Sequence, residues 1–200
     1  MSVRQGLLAV LAEGPCYLFQ LRNEFHRRTG SSLQLNAGQV STTLDRLERD
    51  GLVVRSADSD GQVWFSTTEQ GRSEVRTWLG RPVARSATTR DELTVKLAIA
   101  VTLPGVEMAE VLEVQRLECL RHLQDLTRTK QAGGEPTSGE DLAWLMTVDS
   151  LIFAGEAELQ WLDHCEARLE RARAAGVSLT FPISNERPRA GRPSRAGASS

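Results

Sequence analysis

Three cysteines and three histidines are too few, and too scattered, to organise this chain of 200 residues. Cys16, Cys119 and Cys165 are odd in number and form no C-x-x-C pair, so neither a disulfide framework nor a zinc site is indicated. His164 adjoins Cys165, but successive residues on a helix point about 100° apart, which turns the imidazole away from the thiol. No metal and no cofactor are expected. G-x-S-x-G, P-loop, H-E-x-x-H and glycine-rich nucleotide signatures are missing as well, which argues against an enzyme. No apolar run approaches the ~18 residues that cross a membrane. The opening MSVRQGLLAVLAE has too short an apolar run for a signal peptide, with no small-residue cleavage site after it. A cytoplasmic chain with no membrane partner is expected.

What is present is ordinary for a soluble globular chain. Hydrophobic residues make up 40% and charged residues 25%, enough for one large domain or two small ones with a sizeable core. The net charge of −2 hides an asymmetry. Residues 1–84 carry ten Arg against nine acids, residues 85–184 ten bases against sixteen acids, and residues 185–200 four Arg against one Glu. A near-neutral front on an acidic middle fits a nucleic-acid head on a non-binding body.

The front third divides into short elements. Leu7, Leu8 and Leu11 recur at helical spacing before Gly14-Pro15, and Leu18, Leu21 and Phe25 form a second stripe ending at Gly30. A third helix is predicted in NAGQVSTTLDRLERDGLVV (residues 36–54), with Asn36 as N-cap and Gly51 as its stop. Then come VVRS and QVWFST, rich in β-branched and aromatic residues and separated by ADSDG. Asp60-Gly61 marks the turn of a β-hairpin. Three helices and a hairpin make a helix-turn-helix with a wing. Thr67-x-x-Gln70 reads as a capping box that opens a further helix through Val75, Trp78 and Leu79. Polar residues 80–90 read as a linker.

The remainder is helical. Leu93, Leu97 and Val101 share a face that Pro104-Gly105 ends, and Val111, Val114, Leu117, Leu120 and Leu123 come next at three-residue steps towards Lys130. AGGEPTSG is a loop, and from Glu140 runs the longest helix, about 50 Å at 1.5 Å per residue. In it Leu145, Ile152 and Leu159 fall seven apart, as do Leu162 and Leu169. A domain this small can hardly cover so long a seam, so a second copy of the chain is expected against it. The breaks at Gly155 and Glu166 favour a short, irregular helical dimer interface over a regular coiled coil. The expected class is mainly α (α+β). A winged helix-turn-helix spans residues 1–80 and a helical dimerisation domain residues 81–184. Residues 185–200, without apolar patterning, are expected to be disordered.

On the third helix Val40, Leu44 and Leu47 make one narrow apolar face, which docks onto the first two helices. Opposite lie Thr42 and Arg49, with Gln39, Asp45 and Arg46 on the flanks. Such a face suits a major groove, where Gln or Arg pairs with base edges and Ser or Thr reaches bases or phosphates. Gly38 with Ser41, Thr42 and Thr43 lets the helix approach closely. Asp45 opposes this unless it points away or neutralises Arg49. In the wing Arg55 is a candidate for phosphate or minor-groove contact, and Arg22, Arg27 and Arg28 for phosphates.

With these elements in order, the chain resembles the PadR family of bacterial transcriptional regulators. The likeness lies in LLAVLAEGPCYLFQL, LNAGQVSTTLDRLERDGLV, the wing ending WFSTTEQGR, and DELTVKLAIAV, and it spans nearly the whole chain. Two places depart from the family. Its usual Tyr-Pro in the third helix is Ser41-Thr42 here, and its Tyr-Gly opening the second helix is Tyr17-Leu18. The resemblance implies a homodimer in which each head reads half of an inverted-repeat operator in double-stranded DNA. It usually implies repression, relieved when a small aromatic or drug-like ligand binds near the dimer interface. Trp144 and Trp161 in the long helix are then either a stacking wall for a flat ligand or packing in the dimer core. The competing reading is a winged-helix-derived protein-interaction module that has lost DNA binding. Salt separates the two, because phosphate contacts weaken steeply with ionic strength.

Overall fold

The computed structural model describes residues 2–30, 35–83, 89–179 and 182–184. Helix α1 (Ser2–Glu13) is the spine of the head. Five consecutive residues from Leu7 to Leu11 are buried, more than the expected stripe, because other elements surround α1. Among them are α2 (Leu18–Arg28), α4 (Glu69–Gly80) and α5 (Thr89–Ala100). After Gly14-Pro15 the chain is extended for one residue. Cys16 N donates to Phe65 O (3.1 Å) and Phe65 N to Cys16 O (2.9 Å), which adds a third edge to the wing.

Helix α3 (Ala37–Arg49) opens on the expected Asn36 cap, and the box is reciprocal. Gln39 N donates to Asn36 Oδ1 (2.8 Å) and Asn36 N to Gln39 Oε1 (3.0 Å), satisfying two donors that a helix start leaves orphaned. Gly51, at φ +72°, turns the chain out of the helix. Strands β1 (Val53–Ala57) and β2 (Val63–Thr67) pair antiparallel, with Val53 opposite Thr67 and Ala57 opposite Val63. Asp58 organises the turn between them: its carboxylate accepts from the backbone N of Asp60 and Gln62 and from the Trp64 indole.

The helix α4 cap lies one residue later than expected. Thr68 Oγ1, not Thr67, accepts from Gly71 N (3.1 Å). Thr67 ends β2 with its side chain inward, and its hydroxyl donates to Leu11 O (3.3 Å). Strand pairing holds Thr67 extended, so the first helical turn begins after it.

Of the expected linker, residues 84–88 lie outside the described residues, and Arg81–Val83 are pinned. Val83 is buried with its N–H on Gln115 Oε1 (2.8 Å), while Lys96 Nζ donates to Arg81 O. Helix α5 serves two cores: Val95 and Ile99 join the head, whereas Leu93, Leu97 and Ala100 join the body.

Helices α6 (Met108–Gly133) and α7 (Gly139–Ala174) form a long hairpin. On α6 the three-residue row does not hold one face. The buried set is Met108, Val111, Leu112, Gln115 and Cys119, while Leu117 and Leu120 are exposed. Steps of three fall about 60° short of a full turn, so such a row winds around the helix. On α7 the buried residues Val148, Gly155 and Leu162 face inward. Leu162, expected at a dimer interface, is fully buried in the chain's own body core. The interruptions of the seam are contacts with α6. A Cβ on Gly155 would stand 2.5 Å from Leu123 Cδ2, and Glu166 holds Arg116 of α6 at 2.6 Å. The expected disordered tail at 185–200 lies outside the described residues.

Candidate nucleic-acid interface

Helix α3 buries Val40, Leu44 and Leu47 completely, as its periodicity requires, and this fixes what faces outward. Gln39, Thr42, Arg46 and Arg49 form one exposed row. Ser41 and Thr43 sit half-buried on the shoulders, and the Thr43 hydroxyl donates back to Gln39 O (2.7 Å). Gln39 has its carbonyl oxygen held by the Asn36 N–H in the cap, and its amide N–H group is the donor it can turn towards a partner. Among the described residues neither Arg46 nor Arg49 has an acid within ion-pair distance.

Asp45 does not neutralise Arg49. It receives Arg55 from β1 at 2.8 Å, and the same guanidinium reaches Glu48 at 2.9 Å while lying 5.2 Å over the Phe65 ring. Arg55 therefore clamps the wing to α3 and masks two acids beside the exposed row. The wing tip itself carries Asp58 and Asp60 and no base. Trp64 meets Tyr17 edge-on at 5.6 Å, joining the root of the wing to the start of α2.

Of the three arginines expected to reach phosphates, Arg28 is engaged inside the protein, while Arg27 and Arg22 lie nearer the surface with partners of their own. The Arg28 side chain is fully buried, binding Glu13 through two nitrogens and Thr102 Oγ1 at 2.8 Å. Arg27 pairs with Glu24 and donates to Pro182 O. Arg22 lies over the Phe19 ring at 5.4 Å. Their sequence spacing carried no sign of Glu13 or Thr102, which come from distant elements.

Burial pushes the Cys16 thiol up to about 12, with Glu24 adding to the effect, so Cys16 is packing and not a nucleophile. His164 accepts from Arg168 Nε (2.8 Å), while Cys165 packs against the body core, so the two serve different neighbours. Trp144 lies over Gly133 and lines a cavity of about 290 Å³ with Pro136, Glu140, Asp141 and Leu145, at the loop that joins α6 to α7. Trp161 packs against the body core. The seam residues Leu145, Ile152 and Leu159 are half-buried, whereas Met146 (65% exposed) and Phe153 (69%) stand out further, with Leu142 beside them. These three escaped the seven-residue pattern because they lie on the neighbouring stripe of α7. Among the described residues no helix is long and apolar enough to cross a membrane.

Residues 7–77 match the Transcriptional regulator PadR-like family, and residues 89–170 match a family described as Virulence activator alpha C-term. No curated protein matches the chain. Among solved structures it is similar to Bacillus subtilis PadR in complex with operator DNA, at 19% identity over 84% of this chain and 99% of that one, TM-score 0.40. It is similar too to the Vibrio cholerae virulence activator AphA, at 21% identity over 85% and 99% of the two chains, TM-score 0.37. The PadR-like transcriptional regulator BC1756 from Bacillus cereus shares 16% identity over 86% and 98%, TM-score 0.36. The chain is thus similar in two separate parts to known families, its winged head over residues 7–77 to PadR-like transcriptional regulators and its helical body over residues 89–170 to the C-terminal part of a virulence activator.

Proposed function

We propose that this chain is a cytoplasmic homodimeric repressor. Its head (residues 1–80) reads half of an inverted-repeat operator, and its body (residues 81–184) joins two copies and receives an effector. The observation that carries this is the exposed row Gln39, Thr42, Arg46 and Arg49 on a helix whose opposite face is wholly buried. Arg46 and Arg49 supply donors for guanine edges or phosphates, Gln39 donates from its amide, and Thr42 is small enough to let the groove close on it. Ser41 and Thr43 flank the contact, and Arg55 holds the wing in place beside it. Two-fold symmetry sets the half-sites one helical turn, ~34 Å, or a multiple of it apart.

The second copy covers Leu142, Met146 and Phe153 together with the half-buried Leu145, Ile152 and Leu159. The effector is a flat aromatic compound stacked on Trp144 beside the 290 Å³ cavity. Trp161, 17 residues further along α7, is about 25 Å away and serves as packing.

Genomic fragments captured by the protein supply the operator for the decisive titration. Arg46→Ala and Gln39→Ala are each expected to weaken operator binding by roughly 1–3 kcal/mol. Arg46 is exposed and outside any cap, so Arg46→Ala leaves the melting temperature unchanged, whereas Gln39→Ala also removes the acceptor of the Asn36 N–H and is expected to lower it slightly. Unchanged affinity in both variants would move the reading surface away from α3.

A further inference from the structure

Trp144 stands on the wrong face of α7 for a residue that solvent reaches. At about 100° per residue it lies within roughly 40° of Val148, Gly155 and Leu162, the buried row that faces α6. Leu142, Met146 and Phe153 are about 160–180° away, on the opposite side. Trp144 is nevertheless 39% exposed. The cause is the end of α6. The benzo half of the indole lies against Gly133, where a Cβ would stand 2.5 Å from Cη2 and Cζ3, and Gly134 at φ +67° then turns the chain away. To the cavity of about 290 Å³ beside the ring α6 contributes glycine and no side chain, so the space over the indole is left unfilled.

The charges around this cavity have one sign. Glu140 and Asp141 line it, and no base among the described residues does. Asp141 is fixed by the loop: its Oδ2 accepts from the backbone N and the hydroxyl of Thr137, both at 2.9 Å, and these bonds hold its carboxyl below the usual carboxylate range. Lys130, one turn before Gly133, is paired with Asp149 at 2.7 Å. The helix ends do not offset the acids. The last carbonyls of α6 and the first N–H groups of α7 meet at this loop with opposite partial charges of about half a unit each, which leaves the carboxylates to set the sign.

We propose that this cavity is a site for a flat aromatic cation, held within a single protomer, with Trp144 as its wall and Glu140 and Asp141 as its counter-charge. The inference rests on the reading of Trp144 as an effector wall, and adds to it the charge of the ligand and a stoichiometry of one per chain. A cation over an indole is attracted by the negative face of the ring, the more so where water is excluded. An aromatic acid meets the opposite field, since its carboxylate would face two others. A partner copy seated on Leu142, Met146 and Phe153 lies across α7 from the cavity and adds nothing to it.

Three bicyclic probes of similar shape separate charge from stacking: N-methylquinolinium as the cation, quinoline as the neutral ring and naphthoate as the anion. Each is titrated calorimetrically into the full chain at neutral pH. The cation is expected to bind at one per chain, on the order of tenfold tighter than quinoline, with affinity falling as salt is raised, and naphthoate is expected to bind weakest. Glu140→Gln is expected to reduce the preference for the cation severalfold and to leave quinoline unchanged. Trp144→Leu is expected to weaken the cation about tenfold and quinoline with it. Gly133→Ala, which keeps both acids and displaces the indole, is expected to act like Trp144→Leu, with circular dichroism checking the fold of each variant. Naphthoate or quinoline binding as tightly as the cation, and lost in Trp144→Leu, would overturn the cation while leaving Trp144 as an effector wall. One ligand for every two chains would overturn the single-protomer site. Binding that Trp144→Leu leaves intact, or no binding of any probe, would overturn the cavity as a site and the effector reading of Trp144 with it, while the DNA reading of α3 would stand.

Discussion

His26 does its work as an acceptor. Its Nε2 takes the backbone N–H of Leu35 at 2.8 Å, tying α2 to the residue just ahead of the α3 cap. Burial, and next the Arg22 charge, hold its pKa below the ordinary histidine value. The neutral ring is therefore the native form, and the unfolded chain binds the proton more readily. Stability tied to this residue is intact above about pH 6.5 and is lost as the pH falls through that value towards the lower native one. Protonation also removes the acceptor that Leu35 uses. Melting temperatures from pH 7.5 to 5.5 are expected to fall more steeply for the native chain than for His26→Asn, whose side chain accepts without titrating. Parallel curves would remove His26 from the acid response.

At the scale of elements, Arg55 is the charged link between the exposed side of α3 and the wing, beside the apolar contact of Leu47 and Val53 in the shared core. Arg55 is about half exposed, so its pairs with Asp45 and Glu48 contribute little stability, roughly 0–1 kcal/mol. Its larger effect is electrostatic, since without it two carboxylates stand unmasked beside Arg46 and Arg49. Arg55→Ala is expected to reduce DNA affinity while leaving the melting temperature nearly unchanged. Adding Asp45→Asn and Glu48→Gln in that background is expected to restore most of the loss. Titration of the captured operator decides between two roles: a direct phosphate contact by Arg55 would give no such rescue. The capping box, the Gly51 stop and the Val40–Leu44–Leu47 face are all legible in the sequence, because each depends on neighbours within one or two turns. The Arg55 clamp is not, because its partners lie seven and ten residues back on a different element. The displaced α4 cap has the same origin, for pairing across the hairpin decides where Thr67 ends and the helix begins.

For the whole molecule, the buried and the exposed apolar residues of α7 answer different questions. Leu162 holds the chain together, and Leu162→Ala is expected to cost about 2–5 kcal/mol of fold stability. Met146 and Phe153 are exposed in the single chain, and a charge there leaves its core untouched. Met146→Asp and Phe153→Asp are expected to yield folded monomers at micromolar concentration, judged by sedimentation and circular dichroism. Dimers in both variants would place the interface elsewhere, with Leu117 and Leu120 of α6 the next apolar surface to test. Lys96 marks the join of head and body. It is buried between them with its ammonium on Arg81 O, and burial lowers its pKa to about 8. Helix α5 contributes to both cores from opposite sides, Val95 and Ile99 to the head and Leu93, Leu97 and Ala100 to the body.

The head was dictated by local sequence. Periodicity, caps and turn residues specify three helices and a hairpin in order, and the buried face of α3 leaves Gln39, Thr42, Arg46 and Arg49 outward with no further information. The same kind of pattern dictates that a long helix comes later, with more apolar surface than its own small body needs. How that surface is shared was settled only by packing in three dimensions. Gly155 and Glu166 look like faults in a seam along the sequence, yet they are the points where Leu123 and Arg116 of α6 dock. Leu162 went inward for the same reason, since a helix with apolar residues on more than one stripe buries whichever stripe its neighbour can cover. Only the folded chain, too, could bring Ile183 to Gly14 and Arg28 to Glu13 and Thr102. Those meetings depend on the path of the chain through space, which a pattern of neighbouring residues does not encode.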